Sequence, residues 1–336
     1  MSKLFTLVAL LLAPLLHAQT VLTYSDHEPY GNMRTRFIRD VFFKNIEHES
    51  QGRIIIQAHW KGEIAKAHQE WQAVQDKKTD IIVMVPEYSE KQLPLHQLFK
   101  SFLIGPSGSK QVRVLRQIYR DAPELTAEYE ANGVTPILIA TGYPVAFFSP
   151  QKFNSLQAIQ AQTWRSASFW HRDYLANAGA KPITTPWNEE VAKMLGDGRI
   201  NGLMVNIDSA LDINAHQYAP YALVSKNLWL GHIYPVVIRL DRWNSLTAQD
   251  QQAIRRAAEK SYAQLGKMMA REYLQIIKIA RSQGVTLREL SRQEIQQWAK
   301  DSQYQSVQDK WASEQEANGV AHARKVLAIL RQHIRP

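Results

Sequence analysis

The stretch from Ser155 to Asn206 reads SLQAIQAQTWRSASFWHRDYLANAGAKPITTPWNEEVAKMLGDGRINGLMVN. Short apolar runs predict strands at 162–167 and within 198–206, and the residues between them have helical spacing. This alternation is typical of an open α/β sheet, which binds ligands at the carboxyl ends of its strands. Arg165 falls at such an end, and we interpret it as the anchor for a ligand carboxylate.

Two interpretations of Arg165 remain open on the residues alone. Its guanidinium can form paired hydrogen bonds to both oxygens of a ligand carboxylate. It can equally form a structural salt bridge with a neighbouring Asp or Glu.

The sequence offers no catalytic arrangement. It contains no GxSxG, P-loop, GxGxxG or HExxH motif, and no nucleophile with a base beside it. Glu189 and Glu190 are adjacent on a predicted helix, so they point in different directions and cannot share one substrate bond. We therefore predict that the protein is not an enzyme and binds neither a cofactor nor a metal.

Composition and charge narrow the class of protein. The 336 residues are 45% hydrophobic and 21% charged, enough for two folded domains. Residues 1–18 join a short basic start to an apolar run too short to span a bilayer, which predicts a signal peptide and a periplasmic location.

The absence of cysteine excludes disulfides and thiolate chemistry. The formal charge is +9, but the basic residues are dispersed, so we expect attraction of small anions and no nucleic-acid partner.

Outward from the central stretch, the chain predicts two lobes joined by a hinge. Strands and helices alternate from residue 21 to 85, and a broken strand over 134–149 crosses to the second lobe. The strand at 233–238 returns to the first lobe. Apolar residues at helical spacing from Ala248 to Gln283 then predict one long helix that lies across both lobes. Two helices broken near Gly266 are the alternative.

The predicted domain boundaries follow from these crossings. Lobe I comprises residues 19–142 plus about 230–262. Lobe II comprises residues 143–229 plus about 263–336, including the carboxyl-terminal helices.

Several segments resemble the solute-binding proteins of tripartite ATP-independent periplasmic (TRAP) transporters, of the dicarboxylate-binding, DctP-like type. Residues 61–65 are similar to the family's GGQLG loop, 159–165 to its LKGLKIR strand, and 243–251 to its W..L..EDQ region. The resemblance implies a two-lobed periplasmic binding protein fold in which Arg165 forms a salt bridge to the substrate carboxylate. The implied partners are a small organic acid and the TRAP membrane permease subunits, and we expect a monomer.

Two departures from the family pattern bear on specificity. The family often has GFRN where this chain has GYPV at 142–145, and QEN where it has LMV at 203–205. Two polar ligand-contacting positions therefore become apolar, and we expect an organic acid with an aromatic or aliphatic body. Most aromatic residues are expected in the core. The candidate wall residues beside Arg165 are His27, Glu28, Tyr30, Tyr88, Phe148, Met204, Asn206 and Trp229.

Three functions are compatible with these observations. The leading hypothesis is a periplasmic protein that captures an organic acid anion and delivers it to a membrane permease. The alternative is a ligand-sensing protein of the same fold that signals to a membrane sensor kinase. A periplasmic hydrolase is a more remote alternative, for want of a nucleophile or an acid–base arrangement.

Overall fold

The computed structural model describes residues 19–166, 168–185, 190–228 and 232–335. The predicted signal peptide at 1–18, Glu189 and Trp229 lie outside the described residues. No helix within these ranges is long and apolar enough to cross a membrane.

The first β-sheet forms the core of the amino-terminal half. Its strands are β1 (Thr20–Ser25), β2 (Ile54–His59), β3 (Ile81–Val83), β4 (Val134–Thr141) and β10 (Ile233–Arg239). Their order is β2-β1-β3-β10-β4. β1 runs parallel to β2 and β3, whereas β10 runs antiparallel to β3 and β4. The strand predicted at 233–238 therefore does return to the first sheet.

The second β-sheet contains the stretch from Ser155 to Asn206. Its strands are β5 (Val145–Ser149), β6 (Thr163–Arg165), β7 (Lys181–Ile183), β8 (Gly202–Asn206), β9 (Tyr221–Val224) and β11 (Thr286–Glu289). Their order is β11-β9-β5-β8-β6-β7. β6 runs parallel to β7 and β8, as expected for alternating strands and helices, and β5 runs antiparallel to β8 and β9. The short β11 was not predicted.

Helices cover both sheets. Those of the amino-terminal half are α1 (Met33–Arg36), which continues through a π-helical segment (Phe37–Phe43) into α2 (Lys44–Glu49), then α3 (Glu70–Gln75), α4 (Gly108–Asp121) and α5 (Pro123–Ala131). The later ones are α6 (Phe169–Asn177), α7 (Glu190–Gly196), α8 (Ile207–Asp212), α9 (Leu240–Ser245), α10 (Ala248–Ser282), α11 (Arg292–Asp301), α12 (Tyr304–Ala317) and α13 (Ala323–His333). Short 3-10 turns lie at Pro86–Tyr88, Leu95–Ser101, Leu156–Ile159 and Ala215–Gln217.

The segment 110–132, which looks like one helix in the sequence, is two. α4 ends at Asp121 and α5 begins at Pro123. Proline has no backbone N–H to donate inside a helix but fits the first helical turn, so it separates the two helices.

The long helix α10 is continuous, as predicted. Thr247 caps its start by accepting a hydrogen bond from the Asp250 backbone at 3.1 Å. Leu265 packs in the core of the first sheet, whereas Ala280, near the end of the helix, packs in the core of the second. The helix therefore spans both lobes, and the prediction of a two-lobed α/β fold with a lobe-spanning helix is confirmed.

Gly266 marks a close helix contact and not a break. A Cβ atom there would lie 2.3 Å from the Cα atom of Ser109, in α4. Real Cβ contacts are never this short, so only glycine allows α4 to approach α10 at this point.

The apolar cores also tie the lobes together. One cluster joins residues of the segment 95–125 to Phe147, Trp164 and residues of α11 to α13. The chain passes between the sheets at 142–144 and again between β9 and β10. The exact boundaries proposed for the two lobes stay a prediction.

Candidate functional site

Charged side chains stand at the carboxyl ends of parallel strands in both sheets. Asp26 directly follows β1, Glu87 follows β3 after a short loop, and Arg165 is the last residue of β6. This is the edge at which an open α/β sheet meets its ligand. The candidate site is therefore built from the residues around these three side chains.

Arg165 is held at the end of β6 with only 1% of its surface exposed. Its Nη2 atom donates a hydrogen bond of 2.5 Å to the carbonyl oxygen of Thr185, just beyond the end of β7. Burial lowers the pKa of Arg165 to about 10, so the guanidinium stays charged at neutral pH. A buried cation oriented by the backbone suits a carboxylate anchor. That role stays a prediction.

Ser166 and His171 form a buried polar pair next to Arg165. Ser166 Oγ lies 2.9 Å from His171 Nδ1. Burial, and then the charge of Lys100, holds the pKa of His171 well below its usual range, so the ring is neutral. When Ser166 donates to Nδ1, the ring proton sits on Nε2. That atom is buried without a hydrogen-bond partner in the part of the chain that the structure describes.

In the first sheet, a buried ion pair fixes the loop after β1. Arg34 in α1 donates two hydrogen bonds to Asp26, at 2.6 and 3.0 Å. Its Nη2 atom also lies 2.7 Å from Glu28, and Tyr24 donates to Asp26 at 2.7 Å. Burial would raise the pKa of Asp26, but the charge and hydrogen bonds of Arg34 lower it. The charge of Arg34 is thus shared between two carboxylates.

Two predicted wall residues, His27 and Tyr88, come together beside this loop, with ring centroids 6.1 Å apart. His27 Nδ1 also lies 3.2 Å from Glu70 Oε1. Burial raises the pKa of Glu70 to about 7. Burial opposes a charge on His27, but its hydrogen bond to Glu70 raises its pKa nonetheless. The two groups therefore titrate as a coupled pair.

The same corner has the ligand types of a metal site. Ligand atoms of Asp26, His27 and Glu70 all lie within 4.8 Å of one another. Both oxygens of Asp26, however, already accept hydrogen bonds from Arg34. A dication at this place would be repelled by the guanidinium, so an ion-pair network explains the cluster better.

A second ion pair, which is partly buried, lies beyond the end of β3. Lys100 Nζ lies 2.6 Å from Glu87 Oε1, and His232 Nδ1 lies 3.2 Å from the same oxygen. The His232 ring stacks on Tyr234 with centroids 5.2 Å apart. The Arg34 guanidinium lies 4.8 Å from the centroid of that tyrosine ring. Tyr234 therefore connects the two ion pairs into one continuous wall, which we call the ion-pair wall.

Asn206, at the end of β8, approaches the ion-pair wall from the second sheet. A Cβ atom on Gly142 would lie 3.0 Å from Tyr234 Cε2 and 3.8 Å from Asn206 Nδ2, so these three residues meet at the hinge. Two residues further on, burial and the charge of Asp212 raise the pKa of Asp208 to about 7.

Other predicted wall residues lie elsewhere. Tyr30 is 38% exposed and donates a hydrogen bond of 2.5 Å to Asp40. Phe148 is fully buried and Met204 is 3% exposed, each in an apolar core of the second sheet. Trp229 lies outside the described residues. The structure does not bring the first three of these side chains to the ion-pair wall, and their predicted ligand contacts are untested.

Sequence reasoning missed most of the ion-pair wall. The strand-end rule that selected Arg165 would also select Asp26 and Glu87, because each follows a buried strand. Lys100 lies in a 3-10 turn of a connecting segment and Arg34 lies in a short helix. No local pattern distinguishes these two cations from surface charges.

A comparison with protein families gives a match over most of the chain. Residues 29–314 match the family described as bacterial extracellular solute-binding protein, family 7 (DctP). Comparison of the sequence with curated proteins finds no match.

Solved structures of the same fold come from several bacteria. A TRAP periplasmic solute-binding protein from Desulfovibrio salexigens superposes with a TM-score of 0.80 at 16% identity, covering 94% of this chain and 96% of that chain. A TRAP solute-binding protein from Rhodoferax ferrireducens in complex with benzoate has a TM-score of 0.76 at 15% identity, covering 94% and 98%. DctP7 of Bordetella pertussis, a receptor binding pyroglutamic acid, has a TM-score of 0.70 at 16% identity, covering 93% and 99%. At these identities the likeness shows the fold.

Proposed function

Because the chain belongs to family 7 of the bacterial extracellular solute-binding proteins, we propose that it captures an organic acid anion and delivers it to the membrane subunits of a TRAP transporter. The solute would be held between the two lobes, as in hinge-closing binding proteins generally. The family is one of solute-binding proteins and not of enzymes. The proposal places the protein in the periplasm, after removal of residues 1–18.

One observation supports an anionic ligand above all: the buried, backbone-oriented guanidinium of Arg165 at the carboxyl end of β6. Guanidinium matches a carboxylate with two parallel hydrogen bonds. Removing one partner of such a buried charge pair costs about 2 to 5 kcal/mol. Arg165 would therefore account for a large share of the affinity.

The ion-pair wall favours a ligand with one carboxylate over a ligand with two. Arg34 is already shared by Asp26 and Glu28, and Lys100 is paired with Glu87. A second ligand carboxylate near this wall would meet cations that are neutralised by protein carboxylates. A second carboxylate would lose its hydration there without gaining a free cation as its partner, and a monocarboxylate avoids this desolvation cost.

The body of the ligand would be less polar than a dicarboxylate. By the resemblance, Tyr143, Pro144 and Val205 stand where polar residues are common in the family, and each is partly exposed. Two proteins of the same fold bind benzoate and pyroglutamic acid, and each of these ligands has a single carboxyl group. The inferred class is therefore a monocarboxylate with an aromatic, cyclic or aliphatic body.

Calorimetric titration with matched pairs of acids tests both the inferred ligand class and the role of Arg165 as the anchor. Benzoate should bind more tightly than phthalate, and propionate more tightly than succinate. For any acid that binds, Arg165→Ala should weaken binding by about 30-fold or more, which corresponds to the lower limit of 2 kcal/mol. Arg172→Ala is a matched control, because Arg172 lies on α6 with its side chain 56% exposed.

The possible outcomes separate the parts of the proposal. If Arg165→Ala binds as the wild type does, Arg165 is not the anchor. If dicarboxylates bind more tightly than their monocarboxylate partners, the inferred ligand class is wrong but capture of an organic acid stands. Delivery requires uptake by proteoliposomes containing the permease to depend on added binding protein, and uptake without it would contradict that role.

A further inference from the structure

A cavity of about 670 Å³ lies at the hinge, apart from Arg165. Its walls are the second half of α10, the start of α4, the crossing at 141–144 and the ends of β9 and β11. Neither Arg165 nor any described residue of the predicted ligand wall lines it. Of the ion-pair wall, His232 alone among the described residues also borders this cavity.

The size and walls of the cavity suit an organic molecule. Pockets for small ligands measure about 300 to 1,000 Å³ and are mostly apolar with a few polar groups. Here the apolar surface comes from Met269, Leu274 and Ile277 of α10, with Met33 and Leu287 opposite. Leu274 is 63% exposed, the highest value among the exposed large hydrophobic residues that the structure describes. An apolar ligand body would cover this side chain.

The charged groups around the cavity are mainly cationic. Lys226, Lys267 and Arg281 line it together with one carboxylate, that of Glu289. Across residues 19–166, 168–185, 190–228 and 232–335, no carboxylate oxygen lies within 4 Å of the charged nitrogens of these three cations. Among the described residues these three cations have no ion-pair partner, unlike Arg34 and Lys100.

One residue of the cavity wall, Tyr273, carries a buried polar atom without a hydrogen-bond partner among the described residues. The hydroxyl oxygen of Tyr273, in α10, makes no hydrogen bond with any described residue. This tyrosine lies between Lys267 and Arg281 on the face of α10 that lines the cavity.

We propose that the hinge cavity is a second binding site, for a small organic anion whose apolar body lies against α10 and whose anionic group faces Lys226, Lys267 and Arg281. The inference goes beyond the ligand proposed for Arg165, because Arg165 does not line this cavity. His232 and the crossing at 142–144 border the cavity and are shared with the wall proposed for that ligand. Its occupant would contact both lobes, since α4 belongs to the first half of the chain and β11 to the second sheet.

The probe for this site is 8-anilinonaphthalene-1-sulfonate, which joins an apolar ring system to one sulfonate and fluoresces when shielded from water. Titration of the folded full-length protein should show saturable binding to one site. The double variant Lys267→Glu/Arg281→Glu should weaken the affinity at least tenfold. The double variant Lys91→Glu/Lys300→Glu makes the same change of charge at two exposed positions outside the cavity and should change the affinity less than twofold.

Two further variants keep the test decisive. Ala270→Trp fills the cavity from an exposed position of α10 without a change of charge, and it should abolish saturable binding. Arg165→Ala should leave the affinity unchanged. Loss of binding in Arg165→Ala, equal affinity in the double variant, or no saturable binding to the wild type would each overturn the proposal. Melting temperatures within a few degrees of wild type establish that each variant is folded.

Discussion

Replacement of Asp208 by asparagine should change how stability depends on pH. The carboxyl group of Asp208 lies at the start of α8, and burial followed by the charge of Asp212 raises its pKa from 3.8 to about 7. Between these values the folded protein holds a proton that the unfolded chain has released. The contribution of Asp208 to stability is therefore present below about pH 4 and is lost as the pH rises through about 7. Asparagine has a similar shape but cannot ionise.

The size of the effect follows from the two pKa values. Between the two pKa values, each pH unit lowers the free energy of unfolding by about 1.4 kcal/mol. Asp208 therefore lowers the free energy of unfolding of the wild type by about 3 kcal/mol between pH 5 and pH 8. Asp208→Asn removes this loss. The free energy of unfolding of the variant, relative to that of the wild type, should therefore rise by up to about 3 kcal/mol over that range.

Urea denaturation of both proteins at pH 5, 6, 7 and 8 measures this difference. Subtraction of the two curves cancels other groups that titrate in the same range, including the coupled pair of His27 and Glu70. Asp173→Asn is the matched control, because Asp173 is an exposed carboxylate on α6, and its difference from wild type should stay nearly flat. For Asp208→Asn, the free energy of unfolding minus that of the wild type could instead stay constant within about 0.5 kcal/mol or fall as the pH rises. Either result would show that this carboxyl group is not held protonated.

Two further substitutions test the close packing and the ion-pair wall. Gly266→Ala gains about 1 kcal/mol of helix propensity but places a Cβ atom 2.3 Å from Ser109 Cα. It should lower the urea midpoint, since overpacking costs about 1 to 3 kcal/mol, and a higher midpoint would contradict the close contact of α4 with α10. Asp26→Asn removes one of the two carboxylates that Arg34 contacts, while Glu28 remains at 2.7 Å, and it should lower the free energy of unfolding by about 1 to 3 kcal/mol. A loss below about 1 kcal/mol in the same assay would mean that water reaches this pair.

The parts of the fold that were predictable are those encoded by local periodicity. The apolar stripe from Ala248 onward predicts α10 because each turn of a helix repeats the same pattern. Arg165 was selected because a strand end can be located from its flanking sequence. The break between α4 and α5 was visible in principle, since Pro123 stands at the point where the first helix ends.

The ion-pair wall was not predictable because its contacts join distant parts of the chain. Glu87 meets both Lys100 and His232, and His232 precedes a strand that returns late to the first sheet. The sequence around these residues contains no local pattern that predicts either contact. The burial of Phe148 and Met204 on opposite faces of the second sheet likewise depends on the helices that cover each face.

The placement of the buried charges carries information about function. Taking two ions out of water costs about as much as their attraction returns, so apolar residues would stabilise the same positions equally well. The pair of Asp26 with Arg34 is nonetheless buried beyond the end of β1, and the partly buried pair of Glu87 with Lys100 lies beyond the end of β3. Stability alone does not account for charges at those places. Pairing before a ligand arrives leaves a wall that is polar and fixed but locally neutral. Under the proposed function, such a wall would orient a ligand without attracting a second charge, and Arg165 would select the anion.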